Sequence, residues 1–215
     1  MIQNTLKTAY IKTLLALALL LCISVPLSAQ AAQEIAEVTR LKQAASLLRN
    51  GVEQALHINV KLQREDIITT QDDTRLEITF VDGTVLTMGE QARLTLDDFV
   101  YDPENSRANL SVSMFEGAFL FVSGLMGKQK TKDMKITTPL ATIGIRGTTF
   151  WGGALDNPLD VLLLEGEIDV VTSRGSVLLD EDGQGTTVSA PNQAPTKPIF
   201  WPEAKRQRAF ASVAF

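Results

Sequence analysis

Few side chains in this chain of 215 residues could carry out a reaction, and the sequence keeps them apart. His57 is the single histidine and Cys22 the single cysteine. A Ser-His-Asp or Cys-His relay would have to use His57 as its base. That residue lies in Leu56-His57-Ile58-Asn59-Val60, where alternation turns His57 and Asn59 outward. A zinc site needs several His or Cys ligands at fixed spacing, which one histidine cannot supply. Oxygen ligands for calcium could come from Asp97, Asp98 and Asp102, or from Asp180, Glu181 and Asp182 beside Gly183. Neither group has the D-x-D-x-D-G spacing of a calcium loop. Glu165 and Glu167 flank Gly166 and could act as a carboxylate pair on a glycoside. They read as part of a turn, however, and few aromatics are present to line a sugar cleft. These types and spacings predict a protein that is not an enzyme and uses neither metal nor cofactor.

The remaining candidate is Arg146, in the stretch Ile136 to Gly153. Ile136, Ile143, Ile145, Phe150 and Trp151 supply strand-type apolar bulk, and Pro139, Gly144 and Gly147 interrupt it. Central strands avoid proline and glycine, so this is β structure that bends or runs close to another backbone. Arg146 would then satisfy carbonyls freed by those interruptions, or it would meet a partner's carboxylate or backbone. Thr138, Thr148 and Thr149 suit local hydrogen bonds to the backbone. Trp151 reads as a packing residue.

The same stretch resembles the signature of the FecR family, close to T-P-x-A-x-x-G-x-R-G-T-x-F. Thr138, Pro139, Ala141, Gly144, Arg146, Gly147, Thr148 and Phe150 stand where that pattern wants them. Upstream, Asp66-Ile67-Ile68-Thr69-Thr70 looks like the family's g-D-x-I-x-T element. The resemblance implies a twisted, solenoid-like β stack and a role in envelope sensing or assembly. It names no reaction. The best-known members sit in the inner membrane, with a cytoplasmic anti-sigma domain, one membrane helix and a periplasmic FecR region. Here about a dozen residues precede the first apolar run, too few for such a cytoplasmic domain.

That apolar run, Thr13 to Val25, follows Lys7 and Lys12 and is broken by Pro26. Ala29-Gln30-Ala31 then offers a cleavage site, so residues 1–31 read as a secretory signal peptide. The run falls short of the ~20 residues that span a bilayer, and membrane contact is expected only if this segment is retained. Leu19-Leu20-Leu21 before Cys22 lacks the small residues of a lipoprotein site. A chain cleaved near Ala31 would be periplasmic and free of cysteine, hence without disulfides. It would carry 18 basic against 25 acidic residues, and its only basic cluster besides scattered lysines is Lys205-Arg206-Gln207-Arg208. That balance argues against nucleic acid as a partner.

The elements that must position these residues read as short strands. Ile35, Val38, Leu41, Ala45 and Leu48 have helical spacing, but Asn50-Gly51 is a strong hairpin signal. Strands around Ala36–Arg40, Ala44–Arg49 and Val52–Leu56 are the favoured reading. From Leu76 the alternation is clean, through Leu76, Ile78 and Phe80, then Leu86 and Met88, Leu94 and Leu96, and Leu110, Val112 and Met114. At Asp82-Gly83, a plain two-residue hairpin would put Leu86 and Met88 on the polar face. A three-residue loop with a bulge, pairing Phe80 with Leu86 and Ile78 with Met88, or a corner-turning strand, would keep them inside. Ala118–Val122 is apolar throughout and reads as covered on both faces. Residues 124–135, with Lys128, Lys130, Lys132 and Lys135, read as an exposed, mobile basic loop. Val161–Leu164, Ile168–Val171, Val177–Leu179 and Thr186–Val188 are further strands, with Asp182-Gly183-Gln184-Gly185 a turn. Pro191, Pro195, Pro198 and Pro202 mark an irregular tail, and Pro202 suits the start of a short helix to about Val213.

The expected fold is all-β, with short strands in a twisted solenoid-like stack or sandwich and a short C-terminal helix. Its parts are the signal peptide 1–31, a FecR-like β domain 32–190 with a core about 57–153, and a tail 191–215. The expected function is contact with an envelope protein in sensing or assembly. A glycan- or peptidoglycan-binding envelope module is the alternative, and a membrane-anchored regulator of iron-uptake-type signalling is another if the N-terminal segment stays.

Overall fold

The computed structural model describes residues 33–215. The expected signal peptide, Cys22 and the expected cleavage site near Ala31 lie outside these residues. The described chain forms strands β1 (Glu34–Lys42), β2 (Ala45–Arg49), β3 (Val52–Ala55), β4 (Lys61–Gln63), β5 (Ile67–Thr70) and β6 (Arg75–Phe80). It continues through β7 (Val85–Met88), β8 (Arg93–Asp102), β9 (Arg107–Glu116), β10 (Phe119–Val122), β11 (Thr131–Thr137) and β12 (Thr142–Ile145). The last are β13 (Thr149–Gly153), β14 (Leu159–Glu165), β15 (Ile168–Thr172), β16 (Gly175–Leu179), β17 (Gln184–Val188) and β18 (Ile199–Phe200), before helix α1 (Glu203–Ala211).

These strands make two nine-stranded sheets. The first runs β18-β17-β14-β13-β10-β7-β6-β1-β4, the second β16-β15-β12-β11-β9-β8-β5-β2-β3. Beyond the first two hairpins, each sheet grows in chain order, because the chain lays one or two strands on one sheet and then crosses to the other. The fold is therefore both expected things at once, a two-layered sandwich built up as a solenoid-like stack. Nearly all neighbours are antiparallel; β9 and β11 are parallel, because β10 lies in the opposite sheet between them.

Period two explains the burial. In β6, Leu76, Ile78 and Phe80 point inward and are buried, while Arg75, Glu77 and Thr79 face out. One apolar core joins the inner faces, with Phe80 of the first sheet stacked on Phe99 of the second at 5.5 Å. Phe150 packs edge-on to Phe119 at 5.7 Å and tilted against Phe121 at 5.6 Å. A second, smaller core lies on the outer face of the first sheet, where Trp151 and Leu162 meet Trp201, Ala209 and Val213 from the tail and α1. Leu120 packs against it, so β10 is covered on both faces as its composition demands.

The N-terminal strands replace the helix that spacing alone allowed. Asn50 (φ 52°) and Gly51 (φ 78°) form a two-residue hairpin turn that joins β2 to β3. At Asp82-Gly83 the loop has three residues, Val81 to Gly83, with Phe80 N–H donating to the Thr84 carbonyl at 2.8 Å. The apolar parity is kept, but the register differs from the expected one by two residues. Ile78 faces Leu86 and Leu76 faces Met88. The expected turn at 182–185 is shorter, because Gln184 and Gly185 already belong to β17.

Residues 124–135 are not the loop their lysines suggested. Leu125–Lys128 is a 3-10 turn with Met126 fully buried, and β11 starts at Thr131. The buried carboxylate of Asp82 fastens this turn, accepting the Met126 N–H at 3.0 Å and the Thr84 hydroxyl at 2.8 Å. The Lys132 ammonium bonds the Gly127 carbonyl.

Candidate functional site

The signature stretch is a turn, strand β12 of the second sheet, a corner, and the start of β13 in the first sheet. Thr138-Pro139-Leu140-Ala141 is the turn between β11 and β12. Thr138 N–H donates to the Ala141 carbonyl at 2.8 Å. Its hydroxyl donates to the same carbonyl at 3.0 Å and accepts N–H groups from Leu140 (3.2 Å) and Ala141 (3.0 Å). Pro139 has no N–H to satisfy and its fixed φ suits the turn. Ile143 and Ile145 point into the core on either side of Gly144, whose position is on the outer face of the second sheet.

Arg146-Gly147-Thr148 is the corner at the opposite rim, where the chain crosses to β13. Here the first expectation for the arginine, that it satisfies freed carbonyls, fails. Its side chain is 63% exposed, and its guanidinium binds the Glu167 carboxylate at 2.8 Å rather than backbone carbonyls. The corner needs no such help, because its backbone is already paired: Arg146 N–H reaches the Glu167 carbonyl, and the Thr148 carbonyl accepts the Ser123 N–H at 2.9 Å. Gly147 has φ +79°, and a Cβ there would sit 3.1 Å from the Gly127 carbonyl oxygen. Thr148 also departs from expectation, since its buried hydroxyl has no hydrogen-bond partner. Phe150, the last signature residue, is fully buried between Phe119 and Phe121.

The signature region falls within a longer match: residues 66–169 fit the family described as FecR protein. The chain carries a FecR domain. Its FecR domain runs from the start of β5 into β15. The first residue of that span, Asp66, is fully buried, and both its oxygens take the Arg49 guanidinium, at 2.7 and 2.6 Å. Asp66 also accepts the Gln63 N–H at 2.8 Å, and its hydrogen bond raises the pKa of Arg49 above the ordinary value. Two crystal structures of a protein provisionally assigned as an anti-sigma factor, from Parabacteroides distasonis ATCC 8503, share the fold. Each is 19% identical with a TM-score of 0.50, over 60% of this chain and 57% of that one. The chain thus spans a little over half the length of that protein. No curated protein matches it.

The other sequence candidates do not converge on the FecR signature. His57 is exposed in the turn after β3, at one end of the second sheet. Arg146 closes β12, six strand positions away, on the order of 29 Å at ~4.8 Å per strand. Asp97 accepts the hydroxyls of Ser113 (2.8 Å) and Ser111 (3.4 Å), Asp98 takes Asn109 and Arg64, and Asp102 closes its own turn with Asn105. Among the described residues, no three His, Cys, Asp or Glu side chains are grouped to hold a metal ion. Glu165 and Glu167 flank the bend at Gly166 between β14 and β15, with Glu167 engaged by Arg146.

What sequence reading missed is a furrow along the rim that carries the Thr138–Ala141 turn. A cavity of about 320 Å³ opens there between the strand ends of the two sheets, lined by Met114, Phe119, Pro139, Leu140, Pro158 and Leu159. An adjoining hollow of about 670 Å³ shares Glu116, Gly117 and Ala154 with it, and continues to Thr70, Glu90, Gln91 and Ser212. Its lining comes from turns far apart in the chain, so no local pattern marks it. The one available signal was the pair of prolines, Pro139 and Pro158, at strand ends.

The C-terminal segment is fastened by charge as well as by tryptophan. Asp160, fully buried, accepts the Thr187 hydroxyl at 2.7 Å, backbone N–H groups of Asp156 and Asn157, and the Lys205 ammonium at 3.0 Å. Burial pushes its pKa up, but those hydrogen bonds and the ammonium outweigh it and hold it below the usual carboxylate value. Arg208 grips Asp156 with bonds of 2.8 and 2.9 Å and lowers its pKa. Trp151 Nε1–H donates to the Ser212 hydroxyl at 3.0 Å.

Proposed function

We propose that this FecR-domain chain is an exported, periplasmic module that acts by protein–protein contact in envelope signalling and catalyses no reaction. One observation carries the reading. The signature's side chains are spent on a turn, a corner and a core, while the rim beside that turn keeps an open, largely apolar furrow. A site built for chemistry would gather titratable groups with matched pKa values in a cleft. Here the ionisable candidates are dispersed over both rims and one end of the stack. The FecR match and the fold shared with the Parabacteroides protein support a regulatory role.

Crosslinking in whole envelopes, followed by identification of the captured protein, tests the contact. Repeated capture of one envelope protein is the expected result, and capture of none would overturn the reading. Sequencing the mature N-terminus tests export, with a start near Ala32 expected. A start elsewhere would remove the periplasmic assignment.

A further inference from the structure

The rim furrow has a chemical bias that the contact reading does not use. Its deeper part is apolar, with Phe119 and Leu159 as buried floor and Pro139 and Leu140 as wall. At about 320 Å³ it lies near the lower limit of ligand cavities, a size suited to one bulky side chain. The adjoining hollow is more polar, and the ionisable residues lining the two are Glu90 and Glu116, both acidic and both exposed. Among the described residues, Glu116 makes no ion pair. Arg93 lies opposite it in the ladder, but its guanidinium is turned over the Phe115 ring, 5.8 Å from the centroid. The furrow crosses successive strand ends and is open along its length, which fits an extended chain better than a compact ligand. Glu90 accepts the Asp73 N–H at 2.9 Å but, among the described residues, likewise makes no ion pair. Apolar depth beside carboxylates that carry no counter-charge makes it complementary to one kind of segment.

We propose that the furrow holds an extended segment of a partner protein, with a bulky apolar residue in the cavity and lysine or arginine one or two positions away against Glu116 and Glu90. This rests on the contact reading and supplies the surface for it. The test is selection from a displayed library of random seven-residue peptides on the purified protein. Peptides pairing Phe, Leu or Met with a nearby Lys or Arg are expected to be enriched. Binding of the selected peptides, read by fluorescence polarisation, is expected to weaken at least tenfold in Leu140→Asp and in Glu116→Lys. Glu116 is exposed, so that variant remains informative if Leu140→Asp fails to fold. Glu104→Lys makes the same charge change in the exposed β8–β9 turn and is expected to leave binding unchanged. No enrichment, enrichment of acidic peptides, or binding unmoved by Glu116→Lys would overturn the proposal. If envelope crosslinking captures a partner equally well with Glu116→Lys, the furrow assignment falls while the contact reading stands.

Discussion

The two glycines of the FecR signature should respond in opposite ways to the same added methyl group. At Gly147 the backbone has φ +79°, in the left-handed region where an L-residue costs roughly 1–2 kcal/mol. The new Cβ would also stand 3.1 Å from the Gly127 carbonyl oxygen. That oxygen cannot simply swing aside. It belongs to the 3-10 turn held by Asp82 through the Met126 N–H, and it accepts the Lys132 ammonium. A forced shift of a few tenths of an ångström adds to the conformational cost, so Gly147→Ala should lose about 2 kcal/mol. At Gly144 none of this applies. Its φ is not positive, and a Cβ would meet only Asp169, the carbonyl oxygen at 3.8 Å and the Cβ at 3.9 Å, both ordinary contacts. Gly144→Ala should be neutral, or stabilising by up to about 1 kcal/mol, through the lost freedom of the unfolded chain.

Urea unfolding followed by circular dichroism reads both values. With a slope of about 2 kcal/mol/M, Gly147→Ala should lower the midpoint by roughly 1 M, and Gly144→Ala should leave it unchanged or raise it slightly. Gly147→Asn should recover part of the loss, because asparagine tolerates the left-handed region. If the two alanine variants lose similar amounts, the corner is not held by backbone conformation and the account of the signature as a turn and a corner is wrong.

Three further outcomes follow from individual contacts. Asp66→Asn leaves the Arg49 guanidinium facing a neutral amide in place of its two-oxygen partner. Because the Arg49 side chain is 25% exposed, the loss should be roughly 2 kcal/mol, less than for a fully buried pair, measured by the same urea titration. Thr138→Val strips the turn of a donor and of an acceptor for two N–H groups and should cost about 1–2 kcal/mol, whereas Thr148→Val should cost nothing, since that buried hydroxyl has no partner. Acid should loosen the C-terminal segment. Asp156 and Asp160 both have lowered folded pKa values, so their stabilisation is complete above the unfolded value of about 3.9 and is lost as pH falls through the folded values. Trp151 and Trp201 are the only tryptophans and stand 6.0 Å apart under this segment, so their fluorescence should change in that window, and unchanged emission from pH 5 to pH 2 would count against the latch.

Much of the fold was readable because period two was kept wherever one face is buried. Leu76, Ile78 and Phe80 needed only alternation, and Asn50-Gly51 chose hairpin over helix through the φ values it requires. The register after Asp82 was not readable, because both loops keep the same residues inside and differ only in backbone pairing. The lysines of 124–135 misled for a related reason. A single buried methionine and a buried aspartate 44 residues earlier fasten that turn, and neither leaves a local pattern. Arg146 misled because charge among apolar neighbours suggests burial, whereas a corner lets its backbone stay inside while the side chain leaves. The furrow could not be seen at all, since its walls are strand ends that only the strand order of the two sheets brings together.

That strand order gives the short signature its reach. Thirteen residues leave one rim at Thr138, cross the second sheet as β12, turn at the far rim and return along the first sheet as β13. Ala141 and Phe150 therefore belong to opposite layers of one core, and Thr138 and Gly147 fix opposite rims. A change at the far corner would shift β13, and with it Gly153 and Ala154 on the near rim, where they line the furrow beside Pro139. Gly147 touches nothing that a bound segment would touch. Gly147→Ala should nonetheless weaken peptide binding at temperatures well below its own unfolding, whereas Gly144→Ala, which moves no corner, should not. Equal binding by the folded forms of both variants would mean that the two rims are mechanically independent.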